Sequence, residues 1–172
     1  MIVVSRARAG FAALTVACLV TATAASGQGV SNTDRLTVRR GLEEIAAGRG
    51  DPVPLVVTYD DLHGLWGGLR LTINGTGQVE QTAVREKAGE PQGVTRQDLV
   101  RLAALLVGHR AWEQRTPERA PVPDESRAYL RLRYCQASVE IWEWHNDLKK
   151  NRRIAEIGEF MRKIAWKKSV KP

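Results

Sequence analysis

The stretch that decides the fold is Ala128-Tyr129-Leu130-Arg131-Leu132-Arg133-Tyr134-Cys135-Gln136-Ala137-Ser138-Val139-Glu140-Ile141-Trp142-Glu143-Trp144. Ala128, Leu130, Leu132 and Tyr134 alternate with Tyr129, Arg131, Arg133 and Cys135, and Val139, Ile141 and Glu143 alternate with Glu140, Trp142 and Trp144. Alternation of period two is the mark of a strand with one buried and one open face. With the chain reversing at Gln136-Ala137, the two runs form a hairpin pairing Cys135 with Ser138, Leu132 with Ile141 and Leu130 with Glu143. The other face then pairs Arg133 with Glu140, Arg131 with Trp142 and Tyr129 with Trp144. That register predicts an apolar face, an ion pair, a cation–π pair and an aromatic pair. Its weak point is a turn without the Gly or Asn that tight hairpins favour.

Moving toward the N-terminus, Thr116 to Ser126 carries Pro117, Pro121 and Pro123 and reads as irregular. Before it, Thr95-Arg96-Gln97-Asp98 has the form of a capping box, and Leu99, Leu102, Ala103 and Leu106 make one stripe of a helix ending near Gly108 or His109. Leu69, Leu71 and Ile73 alternate with Arg70 and Thr72 as a strand that turns through Asn74-Gly75-Thr76-Gly77-Gln78. A three-residue loop with Gly77 left-handed pairs Asn74 with Gln78, Ile73 with Val79, Thr72 with Glu80 and Arg70 with Thr82. Leu55 to Tyr59 reads as a further strand. Val38, Leu42 and Ile45 mark a helix from about Asp34 to Ala47, with Thr33 as its expected cap.

Beyond the hairpin, Asn146 or Asp147 is the expected cap of a final helix in which Ile154, Ile157, Met161 and Ile164 recur at helical spacing. Nine Lys or Arg between Asp147 and Lys171 make this the basic end of the chain. The order is helix, three strands, helix, two strands, helix. Connections this short predict an α+β fold: a small antiparallel sheet of about five strands with two or three helices packed mainly on one face.

At the other end, Arg6 and Arg8 precede an uncharged Ala, Val, Leu and Thr run to about Ala25, followed by small residues placed for cleavage near Gly27. This is the pattern of a secretory signal peptide over 1–27 and predicts an exported chain, periplasmic or secreted. The expected organisation continues with a leader and short helix over 28–52, one α+β domain over 53–168 and a tail over 169–172. Cleavage would leave about 145 residues, enough for one core. It would also lower the formal charge of +7 by the two charges of Arg6 and Arg8. Of the two cysteines only Cys135 would survive, so packing and not a disulfide must hold the fold.

No sequence pattern announces catalysis. His63, His109 and His145 lack the close spacing of metal ligands, though Asp60, Asp61 and Asp147 could complete a discontinuous set. Cys135, His145 and Asp147 have the residue types of a nucleophilic triad, but the hairpin puts Cys135 and His145 at opposite ends. The glycines Gly64, Gly67 and Gly68 precede a strand, which excludes a phosphate loop leading into a helix. No catalytic residue, metal or cofactor is therefore assigned.

Two features read as binding surfaces. Trp142 and Trp144, with Tyr129 and Arg131 opposite, form a candidate stacking platform for a glycan, a peptide or another protein, unless a helix covers that face. The basic final helix could meet an anionic surface, or be the solvated back of a core helix. No nucleic-acid motif accompanies it.

The plan from Leu69 to Val79, then Thr95 to Leu106, then Asp124 to Trp144 loosely resembles a family of exported bacterial domains of unknown function. These share a strand-strand-helix-strand-strand-helix order. The resemblance covers roughly 110 residues and implies export and fold only. Here Asp61 to Gly68 lacks the Cys-x-x-Cys pair that many such domains carry before the first hairpin. The expectation is a non-enzymatic periplasmic or secreted interaction module that binds an envelope component or protein partner. The alternatives are a hydrolase or metal-dependent enzyme around His63 and His145, and a peripheral membrane-surface binder.

Overall fold

The computed structural model describes residues 31–63, 67–115, 120 and 122–166. The expected signal peptide, Gly64, Trp66, Pro117, Pro121, Lys167, Lys168 and the tail lie outside these residues. In chain order the elements are α1 (Asn32–Ala46), β1 (Leu55–Asp60), β2 (Gly68–Asn74), β3 (Val79–Val84), α2 (Arg96–Gly108), β4 (Arg127–Tyr134), β5 (Ala137–Trp144), a 3-10 turn (His145–Asp147), α3 (Leu148–Asn151) and α4 (Arg153–Ala165). The five strands form one antiparallel sheet in the order β3-β2-β1-β4-β5. The chain thus has the α+β fold that its alternating and helical periodicities predict.

The β2–β3 hairpin has the predicted register, Ile73 opposite Val79, Thr72 opposite Glu80 and Arg70 opposite Thr82. Turn chemistry fixes it. Gly77 is left-handed at φ 86°, and Asn74 Oδ1 accepts from the backbone N–H groups of Thr76 and Gln78 at 3.1 and 3.0 Å. The capping box of α2 also forms, with Asp98 N–H donating to the Thr95 hydroxyl at 3.2 Å and Thr95 N–H returning to Asp98 at 3.3 Å. For α1 the cap is Ser31 and not Thr33: the Ser31 hydroxyl accepts from Asp34 N–H at 3.0 Å.

The deciding hairpin forms with its register two residues away from the predicted one. Cys135 and Gln136 are the loop, so Tyr134 faces Ala137, Leu132 faces Val139, Leu130 faces Ile141 and Ala128 faces Glu143. Cys135 takes the left-handed φ of 53° that a glycine would ordinarily supply, and its N–H donates to Pro54 O at 3.2 Å. Pairing of β4 with β1 fixes the same end by setting Leu55 against Tyr134. A slip of two leaves every side chain on its predicted face, because side-chain direction repeats every second residue. Leu130, Leu132, Val139 and Ile141 accordingly lie in the core.

That core lies between one face of the sheet and the helices. Val38, Leu42 and Ile45 of α1, Leu99, Leu102 and Leu106 of α2, and Ile154, Ile157, Met161 and Ile164 of α4 close over Leu55, Val57, Tyr59, Leu69, Leu71 and Ile73. Where α4 crosses the sheet, Gly158 lies against the Tyr59 ring, which a Cβ at that position would meet at 2.6 Å. The predicted single final helix is interrupted: Arg152 is left-handed at φ 40° and separates α3 from α4. The break accompanies the entry of Arg153 into the interior, where its side chain is 1% exposed and meets Glu143 at 3.2 Å.

Candidate functional site

The sheet face opposite the helices carries the residues on which binding was expected. Its composition follows from parity: β1 gives Val56, Thr58 and Asp60, β2 gives Arg70 and Thr72, β4 gives Arg127, Tyr129, Arg131 and Arg133, and β5 gives Ser138, Glu140, Trp142 and Trp144. Antiparallel sheets often leave one face to water, and a polar composition then follows. Here the composition is more specific, because arginines, carboxylates and rings run in rows across the strands.

The centre of one row is Asp60, whose side chain is only 6% exposed. Its Oδ2 accepts from Arg70 Nε at 2.9 Å and from Arg131 Nη1 at 2.8 Å, and its Oδ1 from Leu62 N–H at 3.3 Å. Burial pushes the Asp60 carboxyl up, but hydrogen bonds from Arg131 and Arg70 outweigh it and hold the group below its ordinary range. Arg131 continues the row, donating from Nε to Glu140 at 2.6 Å, and its guanidinium stands 4.9 Å from the Tyr129 ring centre.

Beside this network is an aromatic group. Trp142 and Trp144 meet edge to face with centroids 4.9 Å apart and planes at 69°. The Arg127 guanidinium covers both, at 4.0 Å from the Trp142 ring and 4.9 Å from the Trp144 ring. The slipped register corrects the predicted pairs. Arg131 faces Glu140 and not Trp142, Tyr129 faces Trp142 and not Trp144, and Arg133 faces Ser138 and not Glu140. The cation over the tryptophans is Arg127, which sequence reasoning left outside the hairpin.

The members of the platform differ in access. Trp144 is 7% exposed and its indole N–H is buried without a partner among the described residues, so it supports the face from beneath. Trp142, Tyr129 and Arg131 are half-buried, and Arg127 and Arg133 are exposed. Gln114, from the chain after α2, fixes β5 from its outer edge. Its side-chain amide accepts from Trp142 N–H at 2.8 Å and donates to Trp142 O at 3.0 Å, as a neighbouring strand would.

The other residues singled out from sequence are not brought together. Cys135 occupies the β4–β5 turn while His145 follows the far end of β5. His109 pairs with Glu156 at 3.0 Å, and His63 lies in a one-residue bridge to Gly67. Asp61 is buried beneath α4, accepting from the Tyr59 hydroxyl at 2.7 Å, Leu69 N–H at 2.6 Å and Arg162 at 3.1 Å. Burial and the Asp61 charge push the Tyr59 phenol far above its ordinary range, which makes it a structural donor. Among the described residues no group of three or more His, Cys, Asp or Glu could hold a metal ion.

The basic final segment is likewise divided. Arg153 and Arg162 turn inward to Glu143 and Asp61, and Arg152 pairs with Glu156 at 3.0 Å. No described helix is long and apolar enough to cross a membrane. Comparison with protein-family models, with curated proteins and with solved structures finds no match for the chain.

Proposed function

We infer that the chain is an exported, non-enzymatic interaction module, acting in the periplasm or after secretion, that holds an envelope component or protein partner on the outer face of its sheet. One observation carries the reading. The helices gather on one side of the sheet, and the other side presents Arg127 stacked over Trp142, with Tyr129 and Arg131 in the adjoining strand.

Such a surface binds by planar stacking on Tyr129 and the rim of Trp142, and by hydrogen bonds from the guanidinium groups. Those groups recognise a ligand with flat or ring-shaped units and acidic substituents. The Asp60 network contributes rigidity, since it fixes the Arg131 rotamer before any ligand arrives and so reduces the entropy lost on binding.

The test is co-sedimentation and pull-down of the purified protein with bacterial envelope fractions, comparing the parent with a Tyr129→Ala, Trp142→Ala variant. Loss of capture with an unchanged circular dichroism spectrum is the expected result. Capture that persists in the double variant overturns the reading.

A further inference from the structure

We propose that β3 is a docking edge for a second copy of this chain, the two β3 strands pairing antiparallel about a two-fold axis through Gln81 to give one continuous sheet. The proposal is independent of what the outer face binds. It starts from hydrogen-bond parity. Asn74 N–H donates to Gln78 O at 3.1 Å, so in the observed register Glu80, Thr82 and Val84 turn their backbone groups toward β2. Val79, Gln81 and Ala83 therefore direct theirs away from the sheet. Among the described residues no backbone group pairs with them, and β3 is the last strand on that side.

Exposed edges are usually blunted by lysine, proline, a bulge or a covering segment. Val79-Glu80-Gln81-Thr82-Ala83-Val84 contains neither Lys nor Pro, pairs with β2 without interruption, and exposes Thr82, Ala83 and Val84. The opposite edge is treated differently. There Gln114 occupies the outward groups of Trp142, dividing Ser138 and Glu140 from Trp144. One edge is thus interrupted through its backbone groups. At β3 the returning chain meets the edge through a side chain and the turn, Gln81 Nε2 donating to Gly89 O at 2.8 Å and Val94 N–H donating to Gly77 O at 2.8 Å, and leaves the outward backbone groups of Val79, Gln81 and Ala83 unpaired among the described residues.

The strand is also complementary to itself. An axis through Gln81 sets Val79 opposite Ala83 of the second copy and Glu80 opposite its Thr82, so apolar meets apolar and carboxylate meets hydroxyl. Glu80 is the only charged residue in the strand, and this register keeps it from its own equivalent. It also places Glu80 of the second copy two strands, roughly 10 Å, from Arg70, the neighbour of Thr82. Six residues of strand pairing bury less than the approximately 1,200 Å² of a stable interface. The dimer is accordingly weak and dissociates on dilution.

Sedimentation equilibrium of the purified protein over a dilution series tests this, with two variants as controls. Ala83→Pro removes an outward N–H without taking a bond from the β2 ladder, a position where edge strands accept proline. Thr82→Glu sets a carboxylate against Glu80 of the second copy, and adding Glu80→Lys to it restores opposite charges. The expected result is a mass rising toward the dimer with concentration in the parent, loss of association in Ala83→Pro and Thr82→Glu, and recovery in the Glu80→Lys, Thr82→Glu pair. A monomer at every concentration, or a dimer indifferent to Thr82→Glu, overturns the proposal. A monomer would leave the edge to a strand from a different protein. Because Thr82 is exposed, Thr82→Glu keeps the test decisive even if Ala83→Pro fails to fold.

Discussion

Replacing Arg153 with methionine strands the Glu143 carboxylate in the interior, and the size of that penalty follows from the site. The two side chains are 1% and 5% exposed and meet through one contact at 3.2 Å. At an effective dielectric of about 20 this separation corresponds to an attraction of roughly 5 kcal/mol, set against a desolvation cost of several kcal/mol for each ion. The pair is incompletely satisfied, since among the described residues Glu143 Oε2 and Arg153 Nη2 have no hydrogen-bond partner. Burial accordingly pushes Glu143 up, in spite of Arg153, and pushes Arg153 down. Arg153→Met alone should therefore cost about 3 to 5 kcal/mol, including roughly 1 kcal/mol for the lost bond to Glu113 O. Glu143→Met alone should cost a similar amount, and the double variant clearly less than either. Urea unfolding of all four proteins gives the cycle. The variants also differ in pH dependence. In Arg153→Met the folded form holds a proton on Glu143 more tightly than the unfolded form does. Its stability should therefore rise as pH falls from neutral through the raised folded pKa, levelling off below the ordinary value of 4.5. Additive single effects, or a stability of Arg153→Met that falls with acid over that range, would refute this account of the junction.

Three further outcomes are expected. Gly158→Ala drives a methyl to 2.6 Å from the Tyr59 ring and should destabilise by about 1 to 3 kcal/mol, read as a lowered urea midpoint. Asp60→Asn should cost about 1 to 2 kcal/mol at neutral pH, a modest figure because Arg70 and Arg131 are partly open to water. Asp60 is held low in the folded state, so its stabilisation is present above the ordinary value of 3.8 and is lost as pH falls through the folded pKa; the variant's acid limb should be flatter. Gln114→Ala should leave the fold intact and raise the hydrogen-exchange rate of the Trp142 amide, because the amide donates to that side chain at 2.8 Å.

The elements easiest to read from sequence were those in which local chemistry and periodicity agree. Asn74 and Gly77 dictate one loop geometry, so the β2–β3 register was legible to the residue, as was the Thr95 capping box. At Cys135-Gln136 the backbone bends without glycine or asparagine, and periodicity alone fixes a face but not a partner. The error of two residues followed from that, and with it the misassigned neighbours of Arg131 and Tyr129. Arg127 was missed for a related reason, lying one residue before the first apolar position of its strand. Asp60 falls one residue past the run Leu55 to Tyr59 that reads as a strand, and nothing in sequence shows that β1 lies between β2 and β4 with Arg70 and Arg131 on either side of this carboxylate. Arg153 was hidden in a run of basic residues that reads as a solvated helix face. A buried arginine is uncommon, and only the position of Glu143 among inward-facing residues hinted that a cation would be needed there.

The amide of Gln114 has the same donor and acceptor as a peptide group, and this equivalence sets a limit on the geometry of assembly. A sheet with two equivalent receptive borders can add subunits indefinitely and grow into a fibre. Among the described residues the Gln114 side chain interrupts one border, so joining two molecules through the remaining border would use up the capacity for growth in both. A pair joined in the proposed way closes at two, and the Gln114 contact is then a safeguard against polymerisation for an antiparallel sheet with an open polar face.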